Sequence, residues 1–378
     1  MNILHICNDA QKNSLYQDFF MQLSQLGHKQ QVIVPCFKQT ENIICGDVRF
    51  EYFIRESNWM KRFFFMRKIK KITHFVEENI ELEKIDIIHA HTLFSDGAVA
   101  YILNGKYKIP YITAVRNTDI NIFFKYLIQY RKLGVEILKC AKKIIFLSPY
   151  YKTKTIKCIL SGKLSGQISA KSYVIPNGVN AFWLYDRMVK KRKEDKAFSL
   201  LFIGSFDNNK NIIKVCKAIE SLNKIGLNIK FTVVGRGWKG SESYTKRIEQ
   251  IEGISSYLTI IDHQGKEELK NIFADNDIFI MMSKKETFGL VYVEALTQGL
   301  PIIYSKGQGI DGYFKEGSVG YHANPNSVDD IALKIRQVVE NYNDIIENIA
   351  SSDFSSFNWR NVALEYDKIY TQIKNEQR

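Results

Sequence analysis

No apolar run in this 378-residue chain approaches the roughly eighteen residues of a membrane-spanning helix. The N-terminus, MNILHIC, is an apolar, strand-like start with neither a basic n-region nor a cleavage site, so no signal peptide is expected. The six cysteines (Cys7, Cys36, Cys45, Cys140, Cys158 and Cys216) form no C-x-x-C pair and keep no ordered spacing. In a chain this long, that excludes a disulfide framework and points to free thiols in a reducing compartment. There is no low-complexity segment, and no helix-turn-helix, zinc-finger or RNP pattern, so nucleic acid is not an expected partner. These absences together predict a cytosolic protein.

What is present is ordinary for a globular chain: 45% hydrophobic and 25% charged residues, at a length comfortable for two cores. The net charge of +13 is unevenly placed. Residues 1–180 hold 26 Lys+Arg against 14 Asp+Glu, whereas residues 181–378 hold 27 against 26. The basic half is suited to an acidic acceptor or an anionic membrane, the other half to a different partner.

Short apolar, β-branched runs recur between helix-length segments. Strands are expected at NILHI, QVIVP, IDIIHA, YITAV, KIIFLS and SYVIP, and then at SLLFIG, IKFTVVG, YLTIID, DIFIMM, PIIYS and VGYH. Continuous rather than alternating apolar runs, with helices between them, predict parallel sheets covered on both faces. The pattern restarts after the charged stretch RMVKKRKEDK (187–196), the best linker candidate. The expected fold is α/β, two doubly wound domains facing across a cleft, with ligands at the carboxyl ends of strands.

The segment ETFGLVYVEALTQGLPII (286–303) carries two glutamates, Glu286 and Glu294, with seven residues between them. Read as loop, helix and turn, Thr287 caps the helix, Gly299 ends it and Pro301 opens the next strand. Backbone N–H groups near Phe288, Gly289 and Leu290 then face an anion. Glu286 lies just ahead of the helix and Glu294 about two turns along it. A phosphate between two acceptors of sugar hydroxyls is the chemistry of a nucleotide sugar; the alternative is a pair of solvated charges.

This segment resembles the donor site of retaining glycosyltransferases of family 4, which have the GT-B fold of two Rossmann-like domains. Their pattern of Glu, seven residues, Glu, then a small residue, Gly, any residue and Pro fits Glu286, Glu294, Gly299 and Pro301. Further landmarks follow in order: IPNGVN (175–180), LLFIGSFDNNKN (200–211), FTVVGRG (231–237), YLTIIDHQG (257–265), ADNDIFIMMS (274–283) and FSSFNWRNVALEYDKIY (354–370). The resemblance covers nearly the whole chain. It implies an N-terminal acceptor-side domain over 1–180, a donor domain over 181–359, and a closing helix, 360–378, packed back on the first.

Carried over by position, the resemblance implies that Lys210 neutralises the donor diphosphate and Glu294 binds the ribose hydroxyls. Glu286 holds the transferred sugar, with backbone amides of Phe288, Gly289, Leu290 and Val291 on sugar and phosphate. Gly204 and Ser205 form the phosphate turn, His263 flanks the base, and His91, in DIIHAHTLFSDG (86–97), is the sugar-site histidine. Two positions depart from the family. Ser205 stands where an arginine is usual, which removes a bidentate phosphate partner; Arg236 or Arg116 is the expected substitute. The loop CNDAQKNS (7–14) has no glycine where many relatives have two.

GRGWKG (235–240) fits a dinucleotide fingerprint, but a tight turn in a nucleotide-sugar fold fits it better. Asp275-Asn276-Asp277 resembles a metal-binding D-x-D, yet it precedes a strand and so lies at the edge opposite the ligand. No metal and no cofactor are expected. MKRFFFMRKIKKI (60–72) carries six basic residues among apolar ones. Two readings stay open: a membrane-surface helix, which the basic half favours, or a helix packing Phe and Ile inward with wet cations.

The expected activity is a retaining, metal-independent transfer from a nucleotide-diphosphate sugar, UDP or GDP, to a saccharide or lipid-linked acceptor. The setting is polysaccharide or glycolipid synthesis at the inner membrane face. The alternatives are a GT-B epimerase or hydrolase, and a catalytically weak, regulatory relative.

Overall fold

Strands that are apolar on both faces fold only where both faces are covered. In the computed structural model of the chain, helices cover them. It describes residues 1–10, 15–36, 45–54, 65–160, 162–190, 197–237, 242–251 and 254–377. The chain divides into two units, Met1–Asn180 with Ser356–Arg378, and Ala181–Ser355.

The first unit holds strands β1 (Asn2–Ile6), β2 (Lys29–Cys36), β3 (Arg49–Ile54), β4 (Ile87–Ala90), β5 (Tyr111–Val115), β6 (Lys143–Phe146) and β7 (Ser172–Val174). They form one parallel sheet in the order β3-β2-β1-β4-β5-β6-β7. The second unit repeats the scheme with β8 (Phe198–Ile203), β9 (Ile229–Val234), β10 (Leu258–Ile261), β11 (Ile278–Met281), β12 (Ile302–Ser305) and β13 (Gly320–Ala323). Their order is β10-β9-β8-β11-β12-β13, again parallel. In each sheet the winding direction reverses beside the first strand, between β1 and β4 and between β8 and β11. That reversal opens a crevice at the carboxyl ends.

Among the described residues, twelve of the thirteen strands coincide with the expected apolar runs. The thirteenth, RFEYFI of β3, is a half-exposed edge strand paired with β2 among the described residues, and its aromatic residues are interrupted by Arg49 and Glu51 rather than forming a continuous apolar run. The central strands β4, β5, β6, β11 and β12 are wholly buried.

Side chains alternate across the first sheet into two cores. Leu4, Ile6 and Ile88 pack with helices Phe65–Asn79, Ser95–Tyr107 and Arg131–Cys140. Ile3 and Ile87 face helices Leu15–Gln25 and Trp359–Asn375, the latter burying Trp359, Val362, Tyr366, Ile369, Tyr370 and Ile373. Gly178 meets this helix so closely that a Cβ there would lie 2.4 Å from the Trp359 ring.

Of the basic segment 60–72, residues 60–64 lie outside the described residues. The rest opens helix Phe65–Asn79, whose Phe65, Ile69, Ile72 and Val76 are buried in the core. Over 65–72 the inward-packing reading holds, because the apolar face is already covered by the sheet. The linker expectation is corrected for 187–190: Arg187 donates to Ser352 O and Ile349 O, Met188 N to Thr297 O, and Lys190 Nζ to three carbonyls at the end of helix Lys266–Asp275. These residues are fastened into the second unit, and 191–196 lie outside the described residues. Among the described residues no helix is long and apolar enough to cross a membrane.

Candidate functional site

At the crevice between β8 and β11, Lys210 and Glu286 meet. Lys210 follows the β8 turn and Glu286 follows β11; Lys210 Nζ lies 2.8 Å from Glu286 Oε2 and 3.6 Å from Met281 Sδ. Both side chains are about one-sixth exposed, at 18% and 17%. Asn209, which drew no attention as sequence, makes the meeting possible. Its Nδ2 donates to Lys285 O (3.0 Å), its Oδ1 accepts from Lys285 N (3.0 Å), and its carbonyl accepts from Lys284 N (2.8 Å). Asp207 holds the turn itself, accepting from Asn209 N (2.8 Å) and Lys210 N (3.0 Å). Asn and Asp hold their own backbone in turns, and that was the only signal available for them.

Glu286 is fixed from its other side by residues after β12. Its N–H donates to Gln308 Oε1 (3.1 Å) and its carbonyl accepts from Gly309 N (3.0 Å). Gly309 sits at φ 53°, where a Cβ would lie 2.7 Å from Phe288 O and 3.0 Å from Glu286 Cγ. Only glycine fits both the backbone angle and the space.

The helix after Glu286 runs Leu290–Thr297 and is preceded by Gly289 at φ 82°. This corrects the expected cap: Thr287 donates its N–H to Glu286 Oε1 (3.0 Å) and its side chain caps nothing. With the later start, Glu294 lies on the fifth helical residue, just past one turn rather than two. The N–H groups of Gly289, Leu290 and Val291 have no acceptor among the described residues, so the positive helix end is available to an anion. Phe288 is buried against Tyr313. The Glu294 carboxylate has no hydrogen-bond donor among the described residues, and burial pushes its pKa up to about 7 against a weaker pull from Lys266. Such a carboxylate gains from any hydroxyl that donates to it.

The remaining expected donor residues lie on the loops after β8, β9 and β10. Ser205 Oγ donates to Asp207 Oδ2 (2.8 Å), so the residue replacing the usual arginine supports the Lys210 turn instead. Arg236 and His263 end neighbouring strands on the exposed rim. Arg236 pairs with Asp262 (3.5 Å), and His263 N–H donates to Asp262 Oδ1 (2.8 Å). The Arg236 carbonyl accepts from Phe206 N (3.2 Å), in the loop between β8 and Lys210. Gly204 is where the loops after β8 and β9 touch: a Cβ on Gly235 would lie 2.0 Å from Gly204 O, and Gly235 holds φ 145°. That accounts for the first glycine of the apparent dinucleotide fingerprint; residues 238–240 lie outside the described residues.

In the first unit, His5, His89 and His91 line up on the face of the sheet that carries Ile3 and Ile87. All three are buried. His5 Nδ1 lies 3.1 Å from His91 Nε2, and His89 Nδ1 lies 2.7 Å from Tyr370 OH. Burial lowers the His5 pKa to about 3 and those of His89 and His91 well below the usual value, so the imidazoles are neutral. Their ring nitrogens approach within 4.8 Å of one another. The His89 and His91 rings stack, with centroids 4.0 Å apart and planes 17° apart.

His91 ends β4 and is held at both backbone atoms: its N–H donates to Ile6 O (3.1 Å), and Arg116 Nε donates to its carbonyl (2.9 Å). Arg116 also reaches Asn177 Oδ1 (3.4 Å) of IPNGVN, so its guanidinium serves the first unit. Buried Asp119 then clamps the turn, accepting from Leu93 N (3.1 Å), Phe94 N (3.1 Å) and Arg116 N (2.8 Å). In the glycine-free loop 7–14, Asn8 bonds to Asp96, whose carboxyl is raised to about 7 by burial and then by Asp9; residues 11–14 lie outside the described residues.

The D-x-D decoy is at the amino edge. Asp277 exchanges bonds with the Ser199 backbone (2.8 Å each way), and Asn276 Nδ2 donates to Ile272 O (2.8 Å).

Two family models match this chain: "Glycosyltransferase Family 4" over residues 16–181 and "Glycosyl transferases group 1" over residues 186–351. An uncharacterized glycosyltransferase of Methanocaldococcus jannaschii is 25% identical over 299 residues, 78% of each chain. The lipopolysaccharide 1,2-N-acetylglucosaminetransferase of Salmonella typhimurium is 30% identical over 190 residues, 48% of this chain and 49% of that one. Among solved structures, the Anabaena protein HepE in complex with UDP superposes with a TM-score of 0.73 at 16% identity, covering 98% of this chain and 100% of that one. With one family model on each unit and two doubly wound sheets beneath them, the chain is a glycosyltransferase of the GT-B fold and belongs to family 4.

Proposed function

We propose that this glycosyltransferase moves a sugar from a nucleotide-diphosphate sugar to a saccharide acceptor, with retention at the anomeric carbon and without a metal. The observation that carries the reading is the Lys210–Glu286 pair at the crevice of the second sheet, beside a helix N-terminus with open N–H groups. An ammonium has three N–H donors, and Glu286 takes one, so Lys210 can bridge that carboxylate and a phosphate oxygen. Lys210 and the helix end then stabilise the charge that grows on the leaving diphosphate. Glu294 accepts from the ribose hydroxyls, and Glu286 accepts from hydroxyls of the transferred sugar.

In the proposed reaction, the bond from the anomeric carbon to the diphosphate oxygen breaks and the acceptor oxygen bonds on the same face. The acceptor's hydroxyl proton passes to the leaving phosphate oxygen, so no protein nucleophile is required. The UDP in the Anabaena structure favours a uridine donor over a guanosine one. The name of the Salmonella relative favours a lipid-linked saccharide acceptor.

The test is thermal stabilisation of the purified protein by UDP, GDP and ADP, with and without EDTA, repeated on Glu294→Ala. Stabilisation by one nucleotide, insensitive to EDTA and lost in the variant, is the expected result. No shift from any nucleotide at high concentration overturns the donor site and leaves a regulatory relative.

A further inference from the structure

Glu286 does not hold its own place. Its N–H and its carbonyl are both taken by the loop after β12, through Gln308 Oε1 (3.1 Å) and Gly309 N (3.0 Å). The Glu286 backbone therefore follows that loop. The loop has little stiffness of its own: Gly307, Gly309 and Gly312 fall close together, at φ 74°, 53° and 90°. A segment so rich in glycine loses much freedom on ordering, so it keeps one place only where other groups fasten it.

Asp311 fastens it. Its Oδ2 accepts from Gly307 N (2.6 Å), closing the loop around Gln308, Gly309 and the buried Ile310. The other oxygen, Oδ1, lies 3.6 Å from His322 Nδ1, within reach of an ion pair though not of a hydrogen bond. His322 belongs to β13 and is held there by Glu316, whose oxygens lie 2.8 Å from its Nδ1 and 3.2 Å from its backbone N. One carboxylate thus joins the loop to the sheet, with Gly307 on one oxygen and β13 on the other. The Asp311 side chain is 17% exposed, as little as that of Glu286, so water competes weakly for the Gly307 bond.

We propose that Asp311 is a positioning residue for the donor sugar, fixing through Gly307 the loop that holds Glu286 by both backbone atoms. This rests on the reading of Glu286 as the acceptor of hydroxyls from the transferred sugar. It adds that the place of that carboxylate is set from the loop after β12. Lys210 keeps its own turn through Asp207, so a loop that drifts loosens the sugar and spares the diphosphate.

Hydrogen–deuterium exchange of the full chain reads the loop without any ligand. In Asp311→Ala the amides of Glu286 and Gly309 should exchange about tenfold faster than in the parent, the worth of one hydrogen bond. Helix Leu290–Thr297 should exchange as before. In Asp311→Asn, which keeps an acceptor for Gly307 N–H, both amides should stay near their parental rates. Unchanged exchange at Glu286 and Gly309 in Asp311→Ala overturns the proposal. So does faster exchange spread evenly over the second unit, the mark of a merely structural role.

Calorimetry with UDP, UDP-glucose and UDP-N-acetylglucosamine reads the consequence. Asp311→Ala should weaken the sugar nucleotide that the parent binds by about tenfold and leave UDP unchanged. In a Glu286→Gln background it should add nothing, because both changes act through one side chain. Additive losses, or an equal loss for UDP, overturn the positioning role. A parent that binds none of the three overturns the donor reading instead, and the exchange rates then decide alone whether Asp311 places Glu286.

Discussion

Two buried carboxylates, one in each unit, give the sharpest expectations for single residues. Burial raises both Asp96 and Glu294 to about 7, so the native state holds their protons more tightly than the unfolded chain does. Stability from this source is present at acid pH and is lost as pH rises from the ordinary carboxylate range through about 7. Asp96→Asn should therefore gain about 4 kcal/mol over the parent at pH 8 and little at pH 4, as read by chemical denaturation at both pH values. Glu294→Gln should weaken nucleotide binding by roughly tenfold to a hundredfold, the range for hydrogen bonds to a charged group. Binding to the parent should tighten between pH 6 and pH 8 as the carboxylate ionises, whereas the glutamine variant should lose that slope. Titration calorimetry at the two pH values reads both effects.

At the scale of elements, the proposed donor site is an agreement between three loops, those after β8, β11 and β12. Asn209 ties the first two together and Gly309 ties the third to Glu286. Asn209→Ala removes two half-exposed hydrogen bonds and should cost only ~1 kcal/mol of stability. It should nonetheless raise the KM for the donor about tenfold, because Lys210 loses its register against Glu286. Gly309→Ala is the harsher change: the added Cβ meets Phe288 O and Glu286 Cγ at an angle that L-residues avoid. A loss of about 2 kcal/mol and of most activity is expected. A KM that does not move in Asn209→Ala would show that the loops hold their positions without it.

At the scale of the whole molecule, the C-terminal helix Trp359–Asn375 belongs to the first unit, although the second unit precedes it in the chain. Trp359 packs on Gly178, Val179 N–H donates to Phe357 O (2.8 Å), and Tyr370 bonds to His89. Trp359→Ala should cost about 3–5 kcal/mol, all of it in the first unit. The melting of the first unit should move to lower temperature, while stabilisation by nucleotide, proposed for the second unit, should persist. Loss of both together would mean that the two units unfold as one.

Much of this was determined by sequence alone. Continuous apolar runs name a buried parallel strand wherever it lies, and a glutamate pair closed by Gly299 and Pro301 marks its own helix and turn. Twelve of the described strands were accordingly legible, and the spaced pair Glu286 and Glu294 stood out; Lys210 and His91 were singled out only through the family resemblance. The edge strand β3 was not legible, because charges at Arg49 and Glu51 break the continuous apolar run by which the buried strands are recognised. Nor were Asn209 and Asp119 legible, since an amide or carboxylate that holds a distant loop carries no local pattern. Tertiary structure also moved the helix start to Gly289, tied Arg236 to Asp262 and turned Phe65, Ile69 and Ile72 inward. Those outcomes depend on which partner lies within reach, and hydrogen bonds and packing between residues far apart in the chain exist only once the sheets have brought them together.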